Sequence, residues 1–448
     1  MTHRVYIETL GCSKNQVDSE MMLGLFQGAR YLRAATPEEA DIILVNTCGF
    51  IEKAKEESIE TVLAFAGHKE AGTCKVLLMA GCLAERYAEE LAKELPEVDA
   101  FIGTTQFDQV VSVAQQVLAR HQTVIMTGDI DKPIDDSLQR VLLSPAYTAF
   151  LKIAEGCDNF CTYCIIPKLR GKYRSRNLED IVREAEQLVS QGIKELVIIA
   201  QDTTRYGHDN YGAPMLPQLL ERLNDIEGLK WIRLQYCYPD AITDALIEAL
   251  QRLDKVCKYI DIPIQHCNDT ILKRMNRHTS REQILSVIGR LRAAVPGIAI
   301  RTTLIVGFPG ETEAQFSELM AFVEAQRFER LGAFAYSREE DTPAALLDGQ
   351  VAEETKQERL DRLMQLQQSV SLGNQERMLG KTLQVLIEEK VDGEPVYIGR
   401  TQYDSPEVDG CVYVNTNKAL KPGSFLPVRI TDAMEYEWVG VPDDEHRQ

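Results

Sequence analysis

Cys157, Cys161 and Cys164 lie within eight residues, in the run Glu155-Gly156-Cys157-Asp158-Asn159-Phe160-Cys161-Thr162-Tyr163-Cys164. Three thiolates on one short loop can hold three irons of a 4Fe-4S cluster and leave the fourth iron open to a substrate or cofactor. A structural zinc knuckle would use the same atoms, but zinc calls for a fourth nearby Cys or His and usually for a Cys-x2-Cys pair at each end. The next His is His208 and the next Cys is Cys237. The spacing therefore points to a cluster.

A second set of cysteines is dispersed: Leu10-Gly11-Cys12, Asn46-Thr47-Cys48-Gly49 and Ala80-Gly81-Cys82. Each follows a short apolar run, at Val5 to Ile7, Ile42 to Val45 and Val76 to Met79, with another at Ala100 to Ile102. Helical stretches such as Glu52 to Ala66 and Ala84 to Leu95 lie between them. Strand alternating with helix implies right-handed crossovers and a parallel sheet covered by helices. The carboxyl ends of parallel strands share one edge, where sites in such folds are built, so Cys12, Cys48 and Cys82 are expected to converge. The competing reading is three separate buried thiols, since free Cys is among the most buried residue types. The remaining cysteines, Cys74, Cys237, Cys257, Cys267 and Cys411, show no grouping.

Residues 119–145 hold Gly128, Asp129, Asp131, Pro133, Asp135 and Asp136 without sustained periodicity and read as a connector. A second alternating region follows, with strands expected at Phe150 to Ile153, Leu196 to Ala200, Trp231 to Leu234, Tyr259 to Ile264, Ala299 to Val306 and Leu331 to Ala335. Six strand–helix units fall short of the eight of a closed barrel, so a partial barrel is expected, its site on the loops after the strands. The first such loop carries Cys157, Cys161 and Cys164. Gln201, Asp202, Gln235, Gln265 and His266 are expected to face the same cavity, with His266 read as a hydrogen-bonded packing residue rather than a base. Gly307 and Gly310 end a strand and let the backbone approach a ligand, and Thr312 caps the following helix. A charged helical stretch, Ala352 to Met378, leads to short alternating runs between Thr382 and Val441 that read as a small all-β barrel.

The chain has 448 residues, enough for two or three domains, and an ordinary soluble composition of 44% hydrophobic and 26% charged residues. No basic leader or membrane-length apolar run is seen, so a cytoplasmic protein without a membrane is expected, and 11 cysteines in a reducing compartment favour metal chemistry over disulfides. The formal charge of −19 opposes binding to a polyanion and favours a basic protein partner. The segment after Gly380 has seven Lys or Arg against 13 Asp or Glu, the wrong sign for a phosphate-contacting surface.

The Cys-x3-Cys-x2-Cys loop with an aromatic before its third cysteine resembles the radical S-adenosylmethionine (SAM) superfamily. Together with the second triad, the partial barrel and the C-terminal β-module, it resembles the methylthiotransferase family across essentially the whole chain. That likeness implies an α/β protein with a parallel-sheet methylthiotransferase domain at 1–118, a connector at 119–145, a partial (β/α)6 radical SAM core at 146–380 and a TRAM barrel at 381–448. The run Gly11-Cys12-Ser13-Lys14-Asn15-Gln16 looks like the ribosomal-protein branch, whereas the tRNA branch typically shows Gln-Met-Asn after the first cysteine. The resemblance implies insertion of sulfur and a methyl group at the β-carbon of an aspartate in small-subunit ribosomal protein S twelve, free or on the subunit. A tRNA methylthiotransferase modifying an adenosine near the anticodon is the alternative. It further implies two 4Fe-4S clusters, on Cys157, Cys161 and Cys164 and on Cys12, Cys48 and Cys82. Two SAM molecules per turnover would serve as radical source and methyl donor, with a low-potential electron donor and a sulfur source as further partners. The first cluster would reduce SAM to a 5'-deoxyadenosyl radical and the second would deliver sulfur, while Tyr163, Gln201 and Gly307 are the expected SAM contacts.

Overall fold

A computed structural model describes residues 3–120, 122–143 and 145–443; the ends of the first and last expected segments, at 1–2 and 444–448, lie outside the described residues. The N-terminal sheet has the order β2-β1-β3-β4-β5-β6, all parallel. Its strands are β1 (Arg4–Thr9), β2 (Leu32–Arg33), β3 (Ile42–Thr47), β4 (Val76–Gly81), β5 (Ala100–Ile102) and β6 (Val124–Met126). The central strands β3 and β4 are buried along their whole length, as a sheet covered on both faces requires. Helices α1 (Ser13–Gly28) and α4 (Val110–Arg120) cover one face, and α2 (Glu52–Glu70) and α3 (Cys82–Glu94) the other. The sixth strand falls in the segment read from sequence as a connector; three apolar residues at a sheet edge carry no periodicity to detect.

The second sheet is an open parallel barrel of order β14-β13-β12-β11-β10-β7. Its members are β7 (Thr148–Lys152), β10 (Glu195–Ile199), β11 (Trp231–Leu234), β12 (Val256–Asp261), β13 (Ala299–Val306) and β14 (Arg330–Ala335), and a two-stranded ribbon of β8 (Ala154–Glu155) and β9 (Arg174–Ser175) follows β7. One face of the strands, including Leu196, Ile198, Ile232, Leu234 and Ile300, packs on the surrounding helices in the largest apolar core. Those helices are α5 (Ile166–Arg170), α6 (Leu178–Ser190), α7 (Leu216–Asn224), α8 (Asp244–Arg252), α9 (Asp269–Arg274), α10 (Arg281–Ala294) and α11 (Glu313–Gln326), with α12 (Glu353–Gln375) running on to the C-terminal module. That module is a closed barrel, β15-β16-β17-β19-β18, built from β15 (Thr382–Lys390), β16 (Val396–Thr401), β17 (Val412–Asn415), β18 (Phe425–Ala433) and β19 (Trp438–Pro442).

Both flanking modules reach into the partial barrel. On its inner face, Phe150, Val197 and Ile199 pack against Val17 and Met21 of α1. Nearer the amino ends of the strands, Trp231, Cys257, Tyr259 and Ala299 pack against Leu386 and Phe425 of the C-terminal barrel. The neighbouring modules thus cover part of the inner face and the amino-end side of the open barrel.

Candidate functional site

The N-terminal cysteines sit where strand becomes helix. Gly11 precedes Cys12 at φ +90°, and a Cβ there would lie 2.8 Å from Cys48 Cβ. Gly81 precedes Cys82 at φ +94°, and a Cβ there would lie 2.3 Å from Asn46 Oδ1. Only glycine satisfies both the left-handed backbone and the close approach, which is how three separate loops come to one edge. Asn15 locks the arrangement, its Nδ2 donating to Leu10 O at 2.9 Å and Thr47 O at 3.1 Å.

The second triad lies on the loop after β8. Cys157 N donates to Gly171 O at 3.1 Å and Cys164 N to Cys161 O at 2.9 Å. Phe160 takes φ +46°, with Asn276 Nδ2 donating to its carbonyl at 3.0 Å. Cys161 Sγ lies 2.9 Å from Tyr238 Oη, and Arg277 sits 3.7 Å over the Tyr238 ring with Nη1 4.0 Å from the same sulfur.

All six cysteines line one cavity of about 470 Å³ between the N-terminal sheet edge and the barrel mouth. Burial, with smaller contributions from neighbouring thiols, pushes the Cys48 thiol up to about 12; burial likewise takes Cys157 to about 12 and raises Cys82 and Cys164. A ligand that displaces the thiol protons is needed to ionise such groups at neutral pH, and iron does so. Among the described residues no three His, Cys, Asp or Glu side chains are placed to hold a single metal ion. Thiolates on a 4Fe-4S cluster each take a different iron, and the two sets of three cysteines on this cavity supply all-sulfur donors of the kind such a cluster takes.

A buried ionic network ties the two triads together. Arg170, 2% exposed, donates to Glu155 Oε2 at 2.9 Å, Asn15 Oδ1 at 2.7 Å and Asp18 Oδ2 at 3.0 Å. Lys152 Nζ reaches Asp18 Oδ1 at 2.5 Å and Glu155 Oε2 at 2.9 Å. Burial opposes the ionised form of Glu155, but Arg170 and Lys152 outweigh it and hold the carboxyl far below its ordinary range. Asn15 and Asp18 follow Cys12 on α1, and Glu155 precedes Cys157, so the network fixes one triad against the other.

Of the three residues expected at SAM, Tyr163 and Gln201 line the cavity. Gln201 Nε2 donates to Glu155 Oε1 at 2.7 Å, and its buried Oε1 has no partner among the described residues. Gly307 is outside the cavity lining: at φ +68° it approaches Lys356 of α12, where a Cβ would meet Lys356 Cγ at 2.4 Å. Gln235 and Gln265 line the cavity, but Asp202 and His266 do not. Asp202 is turned away to accept from Thr204 N at 3.1 Å and Asn159 Nδ2 at 2.9 Å. His266 is fully buried, its Nδ1 accepting from Asn268 N at 2.9 Å. Lys14, Arg170, Tyr236, Tyr238, Arg277 and Arg301 also line the cavity and were not found by the sequence reading. Only Lys14 and Arg170 carried a signal, as cations close in sequence to a triad.

Residues 151–323 match the Radical SAM superfamily, residues 4–103 the Uncharacterized protein family UPF0004 and residues 379–442 the TRAM domain. The chain is 51% identical over 437 residues, 98% of each chain, to "Ribosomal protein uS12 methylthiotransferase RimO" of Clostridioides difficile. It is 49% identical over 438 residues, again 98% of each, to the protein of that name from Geobacter sulfurreducens. Among solved structures it resembles the radical SAM methyltransferase TsrM of Kitasatospora setae, with a TM-score of 0.57, 14% identity and 77% of each chain covered, a likeness of fold.

Proposed function

The chain belongs to the ribosomal protein uS12 methylthiotransferase RimO family, and we propose that it places a methylthio group on the β-carbon of an aspartate of uS12, giving 3-methylthioaspartate. The observation that carries this reading is the convergence of Cys12, Cys48, Cys82, Cys157, Cys161 and Cys164 on one cavity. When bound, a 4Fe-4S cluster with SAM supplies the radical chemistry that an unactivated carbon demands, and a second cluster with a second SAM supplies sulfur and methyl transfer.

The chain's own residues hold, orient and shield. Cys157, Cys161 and Cys164 are the ligands proposed for the first cluster, with Tyr238 Oη and Arg277 Nη1 lying against the Cys161 sulfur. Cys12, Cys48 and Cys82 are the ligands proposed for the second. Gln201, held through Nε2 by Glu155, presents its free Oε1 to a donor such as the SAM ammonium group. Tyr163 forms part of the cavity wall, and Phe50, Ile166, Phe334 and Val408 add apolar surface to it, which limits water beside a reactive carbon centre. A low-potential electron donor and a source of sulfur complete the requirements.

The test is anaerobic incubation of the reconstituted protein with SAM, a low-potential reductant and either isolated uS12 or tRNA, followed by mass spectrometry. The expected product is uS12 carrying one methylthio group on an aspartate. Thiomethylated adenosine in tRNA with unmodified uS12 would refute the proposal.

A further inference from the structure

Four cations line the cavity, and three already have a carboxylate or carbonyl acceptor. Arg170 is bound by Glu155, Asp18 and Asn15. Arg301 donates to Asp261 at 3.0 Å and lies 3.3 Å from Asp409. Arg277 donates to Pro263 O at 2.5 Å and stacks on Tyr238. Lys14 differs. It is 5% exposed, yet among the described residues no carboxylate or carbonyl accepts from it, and its ammonium rests 3.0 Å from the centroid of the Tyr236 ring. A cation–π contact does the work of an anion only in part, so an ammonium facing the cavity keeps the capacity to take one.

The ring beneath Lys14 is itself held in an unfavourable backbone state. Tyr236 has φ +59°, and the strain is sustained by Asp261 Oδ2, which accepts from Tyr236 N at 3.0 Å, and by Thr203 N, which donates to Tyr236 O at 3.0 Å. Strain of this kind persists where surrounding bonds over-determine a conformation, commonly at a ligand clamp. Asp261 is thereby occupied by Tyr236 and Arg301 and is not available to Lys14. Lys14 also occupies the right place: two residues after Cys12, it spans from the N-terminal domain to the loop after β11.

We propose that Lys14 is the anchor for the side-chain carboxylate of the substrate aspartate, a specificity-determining residue that holds the adjacent β-carbon in the space between the two triads. This rests on the uS12 reading above. A carboxylate at Nζ supplies the missing counter-charge, and because its carbon is bonded to the β-carbon, fixing the one positions the other. An asparagine at the same position would lack the charge.

The test uses the reconstituted full chain and its Lys14→Met and Lys14→Arg variants. Each is titrated anaerobically with a fluorescein-labelled peptide carrying the uS12 target loop, and with the same peptide bearing asparagine at the target, and binding is read by anisotropy. The wild-type chain is expected to favour the aspartate peptide by roughly tenfold or more, the scale of a lost buried charge partner. Lys14→Met is expected to bind the two peptides alike, and Lys14→Arg to recover most of the preference, which separates a lost charge from a damaged fold. A preference that survives in Lys14→Met, or that Lys14→Arg fails to restore, overturns the proposal. Equal binding of the two peptides by a wild-type chain that still modifies uS12 overturns the Lys14 assignment alone. A wild-type chain that neither binds the peptide nor modifies uS12 overturns the functional reading, and Lys14 falls with it.

Discussion

Glu195 carries the junction between the partial barrel and the C-terminal module, and replacing it by glutamine tests that role. The carboxylate is fully buried, with Arg233 Nε at 2.9 Å on one oxygen and Arg400 Nη2 at 2.6 Å on the other. Burial by itself would raise its pKa; the two guanidinium groups, Arg400 first, outweigh burial and bring it from 4.5 to about 2. That displacement is worth about 3 kcal/mol at pH 7. Because the folded pKa lies below the unfolded one, the contribution is complete above pH 4.5 and is lost as the pH falls toward 2; by pH 3 about 1 kcal/mol is left. Glu195→Gln leaves Arg233 and Arg400 buried without their counter-ion, so a cost of about 3–5 kcal/mol is expected at pH 7. The two tryptophans of the chain report on this region: Trp231 stacks edge-on against Phe425 across the junction at 4.7 Å, and Trp438 sits in the core of the C-terminal barrel. Urea unfolding followed by tryptophan emission, on cluster-free protein between pH 7 and pH 3, is the assay. The gap between wild type and variant is expected to narrow by about 2 kcal/mol over that range. A gap that stays constant, or a cost at pH 7 below about 1 kcal/mol, would show that the arginines find other partners and that the pair does not hold the junction.

Arg170→Met leaves Asp18 and Glu155 short of a buried partner and is expected to cost about 3–5 kcal/mol in urea unfolding; Arg170→Lys is not expected to rescue it, because a single ammonium cannot reproduce the fork that reaches Glu155, Asp18 and Asn15. Gly81→Ala places a methyl 2.3 Å from Asn46 Oδ1 at φ +94°, and the reconstituted variant is expected to lose the N-terminal cluster, falling from about eight irons per chain to about four. Cys161→Ala is expected to abolish formation of 5'-deoxyadenosine from SAM while leaving about four irons on Cys12, Cys48 and Cys82, as measured by iron analysis and chromatography.

The features legible in the sequence are those that local rules determine. The Cys157 loop announces itself by spacing within one segment, and Cys12, Cys48 and Cys82 by their common place after a strand, which a parallel sheet converts into proximity. The six barrel strands and their open order followed from apolar runs separated by helical patterns. What was not legible depends on partners far apart in the chain. Glu195 meets Arg400, and Arg170 meets Asn15 and Asp18, across separations that no periodicity encodes. Gly307 shows the limit well: two glycines at a strand end did signal a close backbone approach, and on the side where a Cβ would stand the approaching group is Lys356 of α12, far away in the chain. Asp202, likewise placed at a strand end, spends its carboxylate on capping the turn at Thr203–Arg205.

The charge of the chain divides in a way that suits the proposed substrate. Over the whole sequence acidic residues outnumber basic ones, giving −19, whereas the cavity lining contains Lys14, Arg170, Arg277 and Arg301 against Asp261 alone. A field of one sign outside attracts a basic polypeptide, and it does so over about 8–10 Å at physiological salt before screening removes it. Inside the cavity screening is weak, and there the excess is positive. A basic protein that offers one acidic side chain is favoured at both stages. A polynucleotide is repelled at the first, and a basic side chain at the second, so discrimination begins before any atom of the substrate reaches the cysteines.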